Sequence, residues 1–197
     1  MISGGGRTML NLHRESVAGR IPARLALVIS SRPDARGLVL AAEQGLPTLL
    51  VNRRTLGDDA FQFELTRAVR ASCADLVCLA GFLHLWRIPD DYAGRVINIH
   101  PALLPDFGGK GMYGRHVHEA VLAAGRTESG CTVHFCDNEY DHGPVICRRT
   151  VAIPPGCSAD QLAHLVFHEE LKAYPEAIRM LASGQVDWPG APPRTGA

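Results

Sequence analysis

Two short stretches carry side chains whose types and spacing suit acyl chemistry. Asn98-Ile99-His100 runs into Pro101. Side chains alternate along a strand, so Asn98 and His100 point to one side while Ile99 turns to the other. An amide and an imidazole aimed together can polarise a carbonyl: the amide donates to a developing oxyanion, and the imidazole supplies a proton or stabilises charge. A structural histidine paired with a neighbour is the competing reading. Pro101 and Pro105 weaken it, because they bracket a segment that leaves the strand instead of extending it. Downstream, Asp141-His142-Gly143-Pro144 reads as a loop. A carboxylate there is free to orient an imidazole and to accept a proton through water. An ordinary turn-forming Asp is the alternative. In the catalytic reading, the rate falls on the acid side as Asp141 protonates.

A third stretch, Ser3-Gly4-Gly5-Gly6-Arg7-Thr8, runs into a helical pattern from Met9. Glycines let backbone N–H groups approach an anion at a positive helix end, and Arg7 and Thr8 add side-chain donors. The dinucleotide pattern G-x-G-x-x-G is absent, since Met9 stands where the third Gly belongs. A phosphate site and a plain Gly-rich turn both remain open. His116, His118 and His134 lack a Cys or carboxylate at zinc-like spacing, and positions 116 and 118 of a helix do not share a face, so no metal is expected. Neither G-x-S-x-G nor a Cys at a strand-to-helix elbow occurs. Direct transfer between two bound substrates is the simplest mechanism left.

The elements that must hold these residues alternate. Arg24 to Ser31 is a short branched apolar run that predicts a doubly covered strand, and Pro33 opens a helix through Ala42. Pro47 to Asn52 and Asp75 to Ala80 predict two more strands around an amphipathic helix, Asp58 to Ser72, and Arg95 to Ile99 a fourth strand. A Gly-rich loop spans Gly108 to Gly114, followed by a helix from Arg115 to about Ala124. Gly130 to Cys136 and Pro144 to Ile153 read as strands joined by an exposed turn, and Ser158 before Gln161 opens a long helix to Ala182 with a capping box. Such alternation implies an α/β fold, a doubly wound, mostly parallel sheet that binds ligands beyond the carboxyl ends of its strands. Gly81 to Trp86 and His100 to Pro105 leave strands at that edge.

At 197 residues and 46% apolar content, the chain suits one domain, expected over 1–187, with a flexible Pro- and Gly-rich tail over 188–197. Twenty basic residues balance twenty acidic ones, which argues against a nucleic-acid or membrane partner and for small molecules. Six cysteines without a C-x-x-C pair read as reduced thiols of a soluble cytoplasmic protein. Monomer and homodimer are both open.

The run Asn98-Ile99-His100-Pro101-Ala102-Leu103-Leu104-Pro105, followed by Asp141-His142-Gly143-Pro144, resembles the signature of the folate-dependent formyltransferases, and the likeness extends from Ile2 to about Pro175. That resemblance implies a Rossmann-like fold and 10-formyltetrahydrofolate as co-substrate. The chain's length, lacking the extra domain of tRNA-acting or hydrolytic relatives, implies glycinamide ribonucleotide of the purine pathway as the acceptor. Another amine, in an amino sugar nucleotide or methionyl-tRNA, is the alternative, as is a degenerate binding module. The resemblance makes Asn98 and His100 the oxyanion pair and Asp141 the partner that orients His100. Gly4, Gly5, Gly6, Arg7 and Thr8 would hold the ribose phosphate. Glu170 would anchor the glycinamide end beside Pro101. Phe82, Leu83, His84, Leu85 and Trp86 would form the folate pocket with Asn138, Glu139, Tyr140 and Asp141, gripping the pterin largely through backbone groups. The sequence departs from the family at Arg7-Thr8, where Ser-Asn is usual, at His84, where Arg is common, and in the longer loop from Phe107 to Gly114. The family's first strand should precede Ile2, so the resemblance also implies a truncated first strand and a native start upstream.

Overall fold

The structure is a computed structural model, and it describes residues 1–189. Helix α1 (Arg7–Val17) is followed by strand β1 (Val28–Ser30), α2 (Arg36–Glu43), β2 (Thr48–Leu50), α3 (Arg53–Leu56) and α4 (Asp58–Ala71). Strands β3 (Val77–Leu79) and β4 (Val96–His100) lead to α5 (Arg115–Ala123), the hairpin β5 (Glu128–Phe135) and β6 (Val145–Ala152), and the long α6 (Ala159–Ser183). β1 pairs with β2 and β3 with β4 in parallel, whereas β4–β5 and β5–β6 are antiparallel. Residues 1–3 join the two sheets. Ile2 exchanges hydrogen bonds with Ile29 and Ser31, while Ala80 N–H donates to Met1 O and Ser3 N–H to Gly81 O. The polar backbone of both facing strands is thus partly satisfied at this level. Residues 24–27, expected to belong to the first strand, carry no ladder and border a cavity of about 470 Å³.

The core forms two clusters. One joins Met9 and Leu12 of α1, Val121 of α5, and Leu162, Val166 and Tyr174 of α6 to Ile97 and Ile99. The other joins Phe61 and Leu65 of α4 to Val77, Trp86 and Val96. Val96 and Ile97 therefore belong to opposite clusters, as strand alternation requires. Each such fully buried side chain contributes roughly 1.5–3 kcal/mol. The Tyr174 hydroxyl lies 3.0 Å from the carbonyl oxygens of both Leu79 and Ile97, tying α6 across β3 and β4. Ser158 caps α6 and Gln161 returns the bond, the capping box expected from the sequence. Trp188, expected in a mobile tail, is half-buried against the first cluster, and its indole N–H reaches Leu181 O at 3.4 Å. An indole buries more apolar area than the neighbouring Pro and Gly suggest. Residues 190–197 of the expected tail lie outside the described residues.

Candidate active site

Asn98 and His100 leave β4 on the same side, at the carboxyl end of the strand, as the alternation predicts. They border a cavity of about 750 Å³ that also takes in the loop before α1, residues 81–86 and the 109–115 loop. The chain beyond β4 is pinned by Thr132, whose hydroxyl donates to Ala102 O at 2.7 Å and accepts from Leu104 N–H at 3.0 Å.

Asp141 is the hub of the site. Its Oδ2 lies 3.4 Å from His100 Nδ1 and accepts from Gly109 N–H at 2.9 Å; its Oδ1 lies 3.4 Å from Asn98 Nδ2 and 3.7 Å from His134 Nε2. His100 is 3% exposed, and its Nε2 sits 2.8 Å from Phe107 O. Both of its nitrogens thus face acceptors. His134, on β5, places Nδ1 2.7 Å from Phe135 O. A carbonyl only accepts, so Nδ1 carries a proton, while Nε2 lies 3.3 Å from Asn98 Nδ2 and faces Asp141. The Asp141 carboxylate oxygen, which only accepts, fixes which end of the Asn98 side chain is its NH₂. Phe107 (φ 57°) and Asp141 (φ 52°) adopt left-handed backbone conformations that non-glycine residues rarely hold, and both contact His100. Such conformations cost about 1–3 kcal/mol each and concentrate where geometry serves function. Gly108 packs closely beside them: a Cβ would come within 2.6 Å of Leu104 Cδ2 and 3.2 Å of Asp141 Cβ, so any larger residue requires the Leu104 side chain to shift.

Burial alone would raise the Asp141 carboxyl. The hydrogen bonds of His100 and His134, the field of His100 and the Gly109 N–H together hold it well below the usual carboxylate range. The acid-side fall in rate expected from Asp141 protonation is therefore displaced to low pH. Glu170, on α6, moves the other way: burial pushes it up to about 7, and Arg7 and His100 only partly offset that. No described residue hydrogen-bonds its carboxylate. His118 is 4% exposed with Nδ1 unpartnered, and burial, then the His100 charge, lowers its pKa.

Bordering the same cavity, α1 starts at Gly6 without a side-chain cap, so its first N–H groups stay open to an anion. Gly5, Arg7 and Thr8 line the cavity, but Gly4 and Gly6 do not. Gly6 (φ 72°) packs on Gly37 so closely that a Cβ would lie 2.4 Å from Gly37 Cα, so only Gly fits there. The Arg7 guanidinium stacks 4.0 Å over the Phe167 ring.

Phe82, Leu83, His84, Leu85 and Trp86 all line the cavity, with Glu139, Tyr140 and Pro101. Several backbone groups expected to grip a ligand are already occupied: Leu83 N–H donates to Ser3 Oγ, Leu85 N–H to Tyr140 Oη, and Leu85 O accepts from Gln62. Trp86 is 2% exposed and anchors through Thr66. Asn138 does not line the cavity; its amide clasps the backbone of Ile88 instead. Burial and the charges of Arg53 and Arg32 lower the pKa of His84, leaving it neutral where a charged Arg is common.

Sequence reasoning left His118 and His134 without a role and missed Phe107 and Phe167. The alternation Thr132, His134 on β5, opposite His100 and Asn98 in register, is the signal that finds His134. Among the described residues, no group of three or more His, Cys, Asp or Glu gathers to hold a metal, and no helix is long and apolar enough to cross a membrane.

The chain matches the Formyl transferase family over residues 1–178. It is 38% identical to the trifunctional purine biosynthetic protein adenosine-3 of Drosophila melanogaster, over 93% of this chain and 14% of that protein. It is 36% identical to the chloroplastic phosphoribosylglycinamide formyltransferase of Arabidopsis thaliana, over 95% of this chain and 65% of that protein. The chain thus spans less than two thirds of either relative's length. The crystal structure of glycinamide ribonucleotide transformylase 1 from Symbiobacterium toebii superposes with a TM-score of 0.88 at 37% identity, covering 94% of this chain and 87% of that one.

Proposed function

The chain belongs to the formyl transferase family, and from that premise we propose that it moves the formyl group of 10-formyltetrahydrofolate onto the amine of glycinamide ribonucleotide, a cytoplasmic step of purine synthesis. The observation that carries this reading is one cavity bordered both by an uncapped helix terminus with Arg7 and by Asn98, His100 and Asp141.

In the proposed reaction the phosphate sits against the α1 terminus near Arg7 and Thr8, and Glu170 beside Pro101 receives the glycinamide end. The folate occupies the wall from Phe82 to Trp86 and Tyr140, where the backbone groups of His84 and the Leu83 carbonyl are free among the described residues. The amine attacks the formyl carbon. The resulting oxyanion takes N–H donors from Asn98 and His100, displacing the Phe107 carbonyl as partner of His100 Nε2. Asp141 holds His100 and passes the amine's proton, through water, to N10 of the folate as the carbon–N10 bond breaks. Tetrahydrofolate and the formylated amide leave. No covalent enzyme intermediate and no metal enter these steps.

A formyl acceptor other than glycinamide ribonucleotide is the second reading; the balanced charge disfavours tRNA. Purified chain is to be incubated with 10-formyltetrahydrofolate and, separately, glycinamide ribonucleotide, an amino sugar nucleotide, methionyl-tRNA or water, and the products weighed by mass spectrometry. Formylation confined to glycinamide ribonucleotide is expected. Turnover only with another acceptor would overturn the substrate, and release of formate in water alone would replace transfer by hydrolysis.

A further inference from the structure

Outside the cavity, α6 carries His164 and His168 on one exposed face, one turn apart. Their Nε2 atoms lie 3.0 Å from each other and their ring centroids 4.6 Å apart. The structure gives neither ring any other polar partner, and neither lines the catalytic cavity. Two neutral imidazoles held this way share a single proton: one N–H donates to the other's lone pair.

We propose that His164 and His168 form a two-histidine chelate for a divalent cation of the copper or nickel class. Metal–imidazole bonds are about 2.0–2.1 Å long, so two nitrogens at the observed separation subtend roughly 90° at a shared ion. That is close to the angle between neighbouring ligands in tetragonal copper(II) and nickel(II) sites, and the affinity of nitrogen ligands rises through nickel to copper and falls again at zinc. The helix backbone fixes both side chains on one face, so the second ligand binds within the same molecule at high effective concentration. Rotation of the rings about χ2 turns both lone pairs to one point. The cation takes the place of the shared proton, which moves to Nδ1 of the donor ring; the acceptor ring already carries its proton on Nδ1, so both Nε2 lone pairs face the ion. Water fills the other coordination positions, since no third His, Cys, Asp or Glu ligand joins the pair among the described residues.

The test is calorimetric titration of the untagged full chain with copper(II), nickel(II), zinc(II) and magnesium, alongside His164→Gln, His168→Gln and the double variant. Circular dichroism would verify that α6 is unchanged. One equivalent of copper or nickel is expected to bind the parent, each single substitution weakening it about 10²-fold. The paramagnetic resonance spectrum of the copper form should show two equatorial nitrogens. Copper binding by the double variant with the parent's affinity and spectrum would overturn the proposal, as would magnesium binding as tightly as copper.

Discussion

Asp141 and Glu170 face the same cavity, and their surroundings drive them in opposite directions. Asp141 is embraced by two histidines, an amide side chain and a backbone N–H, and is held as an anion. Glu170 is buried without a hydrogen bond and is pushed up to about 7. Desolvation acts on both. What separates them is whether the fold supplies donors to replace the lost water. In the proposed reaction, two carboxylates pushed apart in this way divide roles: one fixed charge organises the chemistry, while the other changes state near neutrality and takes its partner from the ligand.

The divergence also sets opposite pH signatures for stability. The depressed Asp141 contributes stability that is present above the ordinary Asp value and is lost as pH falls through its folded value. The raised Glu170 contributes in the protonated form, fully below the ordinary Glu value, and loses that contribution as pH rises toward 7.

The largest expected effect comes from breaking the Asp141 side. His100→Ala should lower kcat by about 10²–10⁴-fold. It also removes two of the influences that depress Asp141, so carbon NMR should find that carboxyl titrating at higher pH. Asn98→Ala removes one oxyanion donor and should cost about 10²–10³-fold in kcat, read in the same transfer assay. Breaking the Glu170 side is milder in rate and visible in stability. Glu170→Gln should melt higher than the parent at pH 8, by on the order of 2 kcal/mol, and no higher at pH 5, where the native carboxyl is already neutral. The smallest effect is Arg7→Gln, which removes a charge that pulls Glu170 down. KM for glycinamide ribonucleotide should rise several-fold and lose part of its salt dependence, and the Glu170 inflection should move above 7.

Much of the Asp141 side was legible in the sequence, because strand alternation and flanking prolines put Asn98 and His100 at a ligand edge before any coordinates. The Ser158 capping box was legible for the same local reason. Glu170 was not: nothing in a helical Glu-Glu pair tells which side chain turns inward, and its role came only from the family resemblance. His134 was overlooked because its value lies in register with Asn98 across β4 and β5, a long-range fact. Asn138, expected at the folate pocket, clasps the backbone of Ile88, because a side chain that holds a loop and one that touches substrate leave the same mark in a sequence. Trp188 shows the reverse error, where local Pro and Gly content hid one large apolar anchor.

The division of labour between the two carboxylates is tested most directly by kcat and KM for glycinamide ribonucleotide in Asp141→Asn and Glu170→Gln, each measured from pH 5 to 9. Asp141→Asn should collapse kcat while KM stays near the parent's. The parent should show an inflection near pH 7, and Glu170→Gln should raise KM and abolish it. Equal losses of kcat in both variants, with the inflection intact in Glu170→Gln, would contradict the account.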